Sequence, residues 1–272
     1  MTEEPPSPLL IDPACLARLL GPSAGRFCVD VLPECASTNS LLLERCAAGA
    51  PSGTVLVADR QTAGRGSRGR SWQAAPEASL TFSLLWRFPG GVERLSGLSL
   101  AVGVAVVEAL AQCGVPDVQL KWPNDILYRE GKLGGILVEV QCESDSAQAV
   151  IGIGLNLHRP PEFDTSGIAL PPVALSDAVA EVPERHEILA ALLRTLAEVF
   201  DLFADGGFAV LRSRWQTYHA WQDRPVRMLR EGQVEAEGTC LGADEDGALL
   251  VRTATGLERC LSGDLSLRPG AC

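Results

Sequence analysis

Gly64-Arg65-Gly66-Ser67-Arg68-Gly69-Arg70 satisfies the letters of G-x-G-x-x-G, and the residues on either side of it decide the fold. A dinucleotide fingerprint needs a strand before the glycines and a helix opening at the last of them. Val55-Leu56-Val57-Ala58 supplies the strand, but Ser71-Trp72-Gln73-Ala74-Ala75-Pro76 follows the loop, and then the strand-like Leu80-Thr81-Phe82-Ser83-Leu84-Leu85-Trp86. A strand-loop-strand unit is therefore expected, and the doubly wound nucleotide fold is set aside. No G-x-x-x-x-G-K-S/T occurs, so any nucleotide is held without a P-loop. The glycines let main-chain amides approach a ligand closely, and the arginines supply donors that stay charged at any physiological pH, a combination suited to anionic oxygens.

Working outward, Leu95 to Cys113 carries apolar residues at helical spacing and stops at Gly114. A short strand, Gln119-Leu120-Lys121-Trp122, then meets the turn Pro123-Asn124-Asp125. Ile136 to Val140 and Ala149 to Leu155 read as a hairpin around the polar residues 143–146. His186 to Phe203 and Phe208 to His219 are helical in pattern, so strands come first and helices last, the order of an α+β layer rather than of repeated βαβ units. Upstream, residues 1–25 read as a lead with one small helix near Cys15 to Leu20, and Ser37 or Thr38 can cap a helix beginning near Ser40. Past Trp221 the pattern changes to five short strand candidates, Val226–Leu229, Val234–Leu241, Ala248–Arg252, Leu257–Leu261 and Leu265–Leu267, which suggests a small β-barrel. Asp244-Glu245-Asp246-Gly247 lacks calcium-loop spacing and reads as a solvated turn. The units expected are 1–25, 26–221 and 222–272.

With 272 residues and 46% hydrophobic content, the chain can bury a substantial core. A formal charge of -11 disfavours a general nucleic-acid binder, which needs a basic surface, and makes the local cluster Arg60, Arg65, Arg68 and Arg70 an exception. The nine cysteines are scattered, without C-x-x-C spacing and without pairing to the three histidines, so neither zinc nor a disulfide framework is signalled. The acidic, proline-rich opening is opposite in character to a secretory signal, and the apolar run from Val102 to Val107 is too short to span a bilayer. A cytoplasmic setting is expected.

Taken together, Ser37-Thr38-Asn39, Gln61-Thr62-Ala63-Gly64-Arg65-Gly66, Lys121 to Ile126, Gly131 to Glu139 and Gly152-Ile153-Gly154-Leu155-Asn156 resemble the biotin protein ligases, or biotin-[acetyl-CoA carboxylase] ligases, in order and spacing. Asp223-Arg224-Pro225-Val226, Gly247-Ala248-Leu249-Leu250 and Gly263 to Arg268 extend the likeness into the tail. The resemblance implies an α+β fold of the class II aminoacyl-tRNA synthetase/biotin ligase type, a mixed β-sheet with helices packed on one side, followed by an SH3-like barrel. It implies biotin and ATP as substrates with Mg2+, a biotinyl-5'-AMP intermediate with release of pyrophosphate, and transfer to a lysine of a biotin carboxyl carrier protein.

By the same match, Ser37, Thr38, Asn39 and Gln61 meet the biotin ureido end, whose one carbonyl and two N–H groups need fixed polar partners. Gly64, Arg65, Gly66, Ser67 and Arg68 form the loop at the biotin carboxylate and α-phosphate, with Arg70 reaching toward phosphate. Lys132, with Gly134 and Gly135 beside it, is read as a catalytic ammonium at a glycine-flanked turn, able to bridge the attacking carboxylate and the phosphate. Arg65 and Lys121 join it in catalysis, and Asp125 is assigned to the metal. Trp72 and Asn156 would stack on and bond to adenine, while Asp264 and Arg268 would close over ATP from the small domain. Ser67 departs from the second arginine many relatives carry, which reduces the loop's charge. The resemblance also implies the monofunctional type, without a DNA-binding N-terminal domain, and admits a homodimer formed through a sheet edge as well as a monomer. No nucleic acid or membrane partner is expected. The nearest rival is a lipoate or octanoate ligase, which the Lys-Trp-Pro-Asn-Asp and Gly-Arg-Gly blocks fit less well; a biotin-binding regulatory protein without ligase activity is the other.

Overall fold

The computed structural model describes residues 9–142, 146–159, 170–230, 232–261 and 265–270. Ten of its elements and the loops between them build the larger unit around a seven-stranded sheet. These are β1 (Cys28–Cys35), α2 (Thr38–Ala47), β2 (Thr54–Gln61), β3 (Ser79–Pro89), α3 (Leu98–Gln112), β4 (Val118–Lys121), β5 (Asp125–Tyr128), β6 (Gly131–Cys142), β7 (Ser146–Asn156) and α4 (Arg185–Gly206). The strand order is β1-β2-β3-β7-β6-β5-β4. Only β1 and β2 run parallel, so the sheet is mixed, as expected.

Strand alternation assigns the two faces. Val55 and Val57, Leu80, Phe82 and Leu84, and Ile151, Ile153 and Leu155 all point into the main core. The residues between them, Thr81 and Ser83 on β3 and Gly152, Gly154 and Asn156 on β7, necessarily face the other way. α3 covers the apolar face and is itself apolar all round, because the sheet lies on one side of it and α4 on the other. Each of its fully buried Leu and Val side chains contributes about 1.5–3 kcal/mol. α2 alone lies on the opposite face, where Leu42 and Cys46 pack on Leu56, Leu85 and Val150. Helices are therefore gathered on one side with this single exception, and α2 forms one wall of a pocket on the side left open.

Three differences from the sequence reading have physical reasons. β1 gives a weak strand signal: it is an edge strand with a half-exposed pattern and carries Pro33, which an edge tolerates. Its parallel pairing with β2 through α2 makes one βαβ unit inside the α+β layer. β5 is only four residues long and pairs tightly back on β4, so the turn reading at 123–125 ends one residue early. The described part of the N-terminal lead is no separate unit. α1 (Pro13–Leu20), capped by Asp12, buries Leu16 and Leu20 with Ile11 in the main core, and Asp12 N donates to His186 Nε2 on α4 at 2.8 Å.

The tail forms a five-stranded antiparallel sheet ordered β11-β10-β9-β8-β12, from β8 (Pro225–Arg230), β9 (Gln233–Ala243), β10 (Leu249–Thr253), β11 (Gly256–Cys260) and β12 (Leu265–Pro269). Every predicted strand is present. The acidic turn is more than solvated: Asp244 Oδ1 accepts from Asp246 N and Ala248 N, Arg259 pairs with both aspartates, and Gly247 O accepts from Trp122 Nε1 at 3.1 Å. The second joint is His219, just past α5 (Arg212–Tyr218). Its ring stacks on Trp215 at 4.5 Å, with Nδ1 3.1 Å from Leu120 O and Nε2 3.4 Å from Cys240 Sγ. Burial pushes this imidazole down to about 4, against the Leu120 hydrogen bond that favours its charged form. Burial likewise pushes the Cys240 thiol up to about 11.

Candidate active site

The open face of the sheet carries a cavity of about 610 Å³, within the range of about 300–1,000 Å³ typical of small-molecule sites. Its floor follows from Gly152-Ile153-Gly154: the isoleucine points into the core and the two glycines present bare backbone to the pocket. That bareness is required. A Cβ on Gly152 would stand 2.3 Å from Asn39 Oδ1, and one on Gly154 would stand 2.5 Å from Trp72 Cε2.

At one end, Ser37 is the N-cap of α2, its Oγ accepting from Ser40 N at 3.4 Å. Ser37, Thr38 and Asn39 are all buried and line the cavity with Gln61. Gln61 Oε1 accepts from Thr38 N at 2.8 Å, which leaves its amide N–H groups for a ligand. Ser83, fully buried behind this group, lies 2.7 Å from Thr38 Oγ1 and 2.5 Å from Asn39 Oδ1. The sequence reading had Ser83 inside a strand and assigned it no role; its signal is a hydroxyl at an apolar strand's alternate position.

The glycine-arginine loop closes as a tight hairpin, with Trp72 N donating to Gly64 O at 2.8 Å and Gly66 N donating to Arg70 O at 2.7 Å. Arg65, Gly66, Ser67, Arg70 and Trp72 line the cavity. Arg70 donates to Ser67 O and Oγ at 3.2 and 3.1 Å. Arg68 does not take part as expected: its backbone is left-handed at φ 59°, and its guanidinium donates to Leu265 O of the small domain. Gly64 and Gly134 also lie off the cavity wall. Gly64 makes room for the Trp72 carbonyl and Gly134 for the Gly154 carbonyl, so their smallness serves packing beneath the site.

At the other end, Lys121 and Asp125 are partners in register across the β4–β5 hairpin, which puts both side chains on one face. Lys121 Nζ lies 2.6 Å from Asp125 Oδ2, and Lys132 Nζ lies 2.5 Å from Asp125 Oδ1. Burial pushes the Asp125 carboxyl up, but the two ammonium groups together outweigh it and hold it well below the usual carboxylate range. Burial pushes Lys121 down, opposed by Asp125. Lys132 is a strand residue rather than a turn residue. It sits second in β6, with its N donating to Pro171 O at 2.7 Å and its O accepting from Val173 N at 3.0 Å. The glycines on both sides of it serve close strand packing, which the sequence reading took for turn chemistry. Arg268 reaches the cavity from β12, its guanidinium half-buried. Asp264 lies outside the described residues.

Besides Asp125 Oδ1, two neutral polar atoms of the described cavity residues are buried without a hydrogen-bond partner, Trp72 Nε1 and Asn156 Oδ1. One is a donor and one an acceptor, a pair an adenine edge could satisfy. Asn156 Nδ2 is already committed to Val173 O at 2.9 Å. Five cations, Arg65, Arg70, Lys121, Lys132 and Arg268, line the cavity against one carboxylate, Asp125, so a net-acidic protein concentrates positive charge here. Asp125, expected at the metal, accepts a hydrogen bond from Lys121 at Oδ2, while its buried Oδ1 lies 2.5 Å from Lys132 Nζ outside hydrogen-bond geometry, so an ion at Oδ1 would have to displace that ammonium; the described residues include no group of three or more His, Cys, Asp or Glu side chains placed to hold an ion.

Residues 32–156 match the biotin/lipoate A/B protein ligase family, and residues 223–268 match the biotin protein ligase C terminal domain. The bifunctional ligase/repressor BirA of Escherichia coli is 36% identical over 88% of this chain and 74% of that protein. The biotin-[acetyl-CoA-carboxylase] ligase of Paracoccus denitrificans is 34% identical over 81% of this chain and 92% of that protein. The structure of the Aquifex aeolicus biotin protein ligase in complex with biotin and ATP superposes with a TM-score of 0.75 at 31% identity, covering 89% of this chain and 99% of that one. The chain belongs to the biotin protein ligase family.

Proposed function

We propose that this chain activates biotin with ATP to biotinyl-5'-AMP, releasing pyrophosphate, and then passes biotin to a lysine of a biotin carboxyl carrier protein such as that of acetyl-CoA carboxylase. The observation that carries the reading is the polarity of one continuous cavity. Neutral hydroxyl and amide groups that suit a ureido ring stand at the α2 end, and five cations that suit a carboxylate and a triphosphate stand at the other.

The first step brings the biotin carboxylate onto the α-phosphate, so two anions must meet. Lys132 offsets their repulsion, a partly exposed ammonium whose position is set by Asp125. Lys121, buried beneath, keeps Asp125 ionised and oriented. Arg65 and Arg70 bind the carboxylate and phosphate from the loop, and Arg268 does so from the small domain. Trp72 and Asn156 supply the adenine contacts. Magnesium brought with ATP would offset charge on the phosphates beside Lys132 and Arg70. In the second step the acceptor lysine attacks the mixed anhydride and AMP leaves, while the loop keeps water away.

The net charge of -11 supports a protein partner over nucleic acid, and the free thiols of Cys15, Cys28, Cys35, Cys46, Cys113, Cys240 and Cys260 support a reducing cytoplasm. Purified protein, ATP and a carrier domain should yield biotinylated carrier with biotin and none with lipoate or octanoate. Equal use of lipoate would favour the rival ligase, and no pyrophosphate release from folded protein would favour the regulatory reading.

A further inference from the structure

Five side chains, those of Thr38, Ser83, Asn39, Glu139 and Arg65, form one unbroken polar chain along the cavity, and Gln61 joins it through the Thr38 main-chain N–H. Gln61 Oε1 accepts from Thr38 N; Thr38 Oγ1 lies 2.7 Å from Ser83 Oγ; and Ser83 Oγ lies 2.5 Å from Asn39 Oδ1. Asn39 Nδ2 donates to Glu139 Oε2 at 3.0 Å. Arg65 then closes the chain in a bidentate pair, Nη1 donating to Oε2 at 3.1 Å and Nη2 to Oε1 at 2.8 Å. Glu139 stands on β6 two residues beyond Leu137, on the cavity side of the sheet by strand alternation, although it does not line the cavity itself.

A carboxylate can only accept, so Glu139 decides which way the Asn39 amide points. Nδ2 must face Glu139, with Leu137 O 3.4 Å away as a second acceptor, and Oδ1 must face inward. Oδ1 has two lone pairs and Ser83 can fill one, since a hydroxyl has a single proton to give. The second lone pair suits a ureido N–H. On its other side, Glu139 engages two N–H groups of Arg65 and leaves Nε–H and one Nη2–H free of it, while Ser40 Oγ lies 3.3 Å from Nη1. Arg65 is otherwise an exposed loop side chain, 45% accessible, and Glu139 is its one ion-pair partner among the described residues.

We propose that Glu139 is a positioning residue that joins the two ends of the biotin site. It sets Asn39 to present its oxygen to the ureido ring, and it holds Arg65, and with it the loop, at the carboxylate and phosphate end. This rests on the ligase reading for the identity of the ligands. It predicts that the two effects separate under different substitutions. Glu139→Gln keeps an oxygen to accept from Asn39 but turns an amide N–H₂ toward Arg65, whereas Glu139→Ala removes both contacts.

Three measurements on the full chain test this: biotin affinity by calorimetry without ATP, the rate at which preformed biotinyl-5'-AMP leaves, and trypsin cleavage after Arg65 with biotin bound. Glu139→Gln should hold biotin within about 2-fold of wild type while releasing the adenylate about 3–10 times faster and exposing Arg65 to trypsin, the scale of a partly exposed ion pair. Glu139→Ala should weaken biotin by about 3–10-fold as well, and the glutamine variant's recovery of that affinity separates positioning from general loss of structure. Adenylate release from Glu139→Gln at or below the wild-type rate overturns the proposal, as does wild-type biotin affinity in Glu139→Ala. If the wild-type protein forms no adenylate, the ligase reading fails, and the biotin and trypsin arms still decide the role of Glu139.

Discussion

Asp125 stands between Lys121 and Lys132, its two oxygens 2.6 and 2.5 Å from their ammonium nitrogens. Lys121 and Asp125 are almost wholly buried, whereas Lys132 keeps 25% of its side chain accessible. The three therefore differ in what their loss should do. Asp125→Asn leaves a buried ammonium without its counter-charge, a change that typically costs about 3–5 kcal/mol. It should lower stability in urea unfolding and adenylate formation together.

Lys132→Ala removes a group at the cavity surface and leaves Lys121–Asp125 intact. Biotin affinity and unfolding midpoint should stay near wild type, while the rate of adenylate formation falls by about 10²–10³-fold, the scale for loss of one charge-stabilising donor. Single-turnover pyrophosphate release reads the rate, and a parallel drop in biotin affinity would count against the assigned role.

The floor glycines should separate the two substrates. Gly152→Ala drives a methyl toward Asn39 Oδ1, whereas Gly154→Ala drives one toward the Trp72 indole. The first should weaken biotin by about tenfold or more with ATP affinity little changed, and the second should do the reverse; titrating each variant with each ligand checks the pattern.

Ser67 contributes a hydroxyl where a second loop arginine would add charge, and Arg70 already spends N–H groups on it. Ser67→Arg should retain biotinyl-5'-AMP longer than the wild-type chain does. Equal release rates in a single-turnover assay would remove charge at this position as the cause.

His219 gives the joint between the halves a pH dependence. Its imidazole ordinarily titrates near 6.5 and is held down to about 4 here, so between those values the unfolded chain binds a proton that the folded chain refuses. Stability from this group is complete above pH 6.5 and declines as pH falls toward 4, by roughly 3 kcal/mol at about 1.4 kcal/mol per unit. Urea unfolding at pH 7.5 and 4.5 should show the loss, and His219→Gln should flatten it.

Periodicity made the helices and the tail's five strands legible, because long amphipathic or alternating runs state their own partners. The edge strand β1 and the four-residue β5 were not legible, since their pairing is decided by neighbours rather than by their own residues. Within the site, the motifs that carry the family resemblance singled out Ser37, Thr38, Asn39, Gln61, Arg65, Arg70, Trp72, Lys121, Lys132, Asn156 and Arg268, all of which line the cavity. Motif membership could not tell which members line the cavity and which only let strands meet. Arg68, Gly64 and Gly134 share the letters and lie elsewhere, and Ser83 and Glu139 make their contacts from strands to α2 and to the loop, across long separations in sequence.

Trp122 sits in the middle of the Lys-Trp-Pro-Asn-Asp block, yet its indole nitrogen serves Gly247 in the tail and not the cavity. The block is thus read from two sides, by substrates through Lys121 and Asp125 and by the last fifty or so residues through the tryptophan between them. Grafting a foreign tail onto this catalytic half would disturb the hairpin that carries Lys121 and Asp125 unless the donor kept a carbonyl at that same spot.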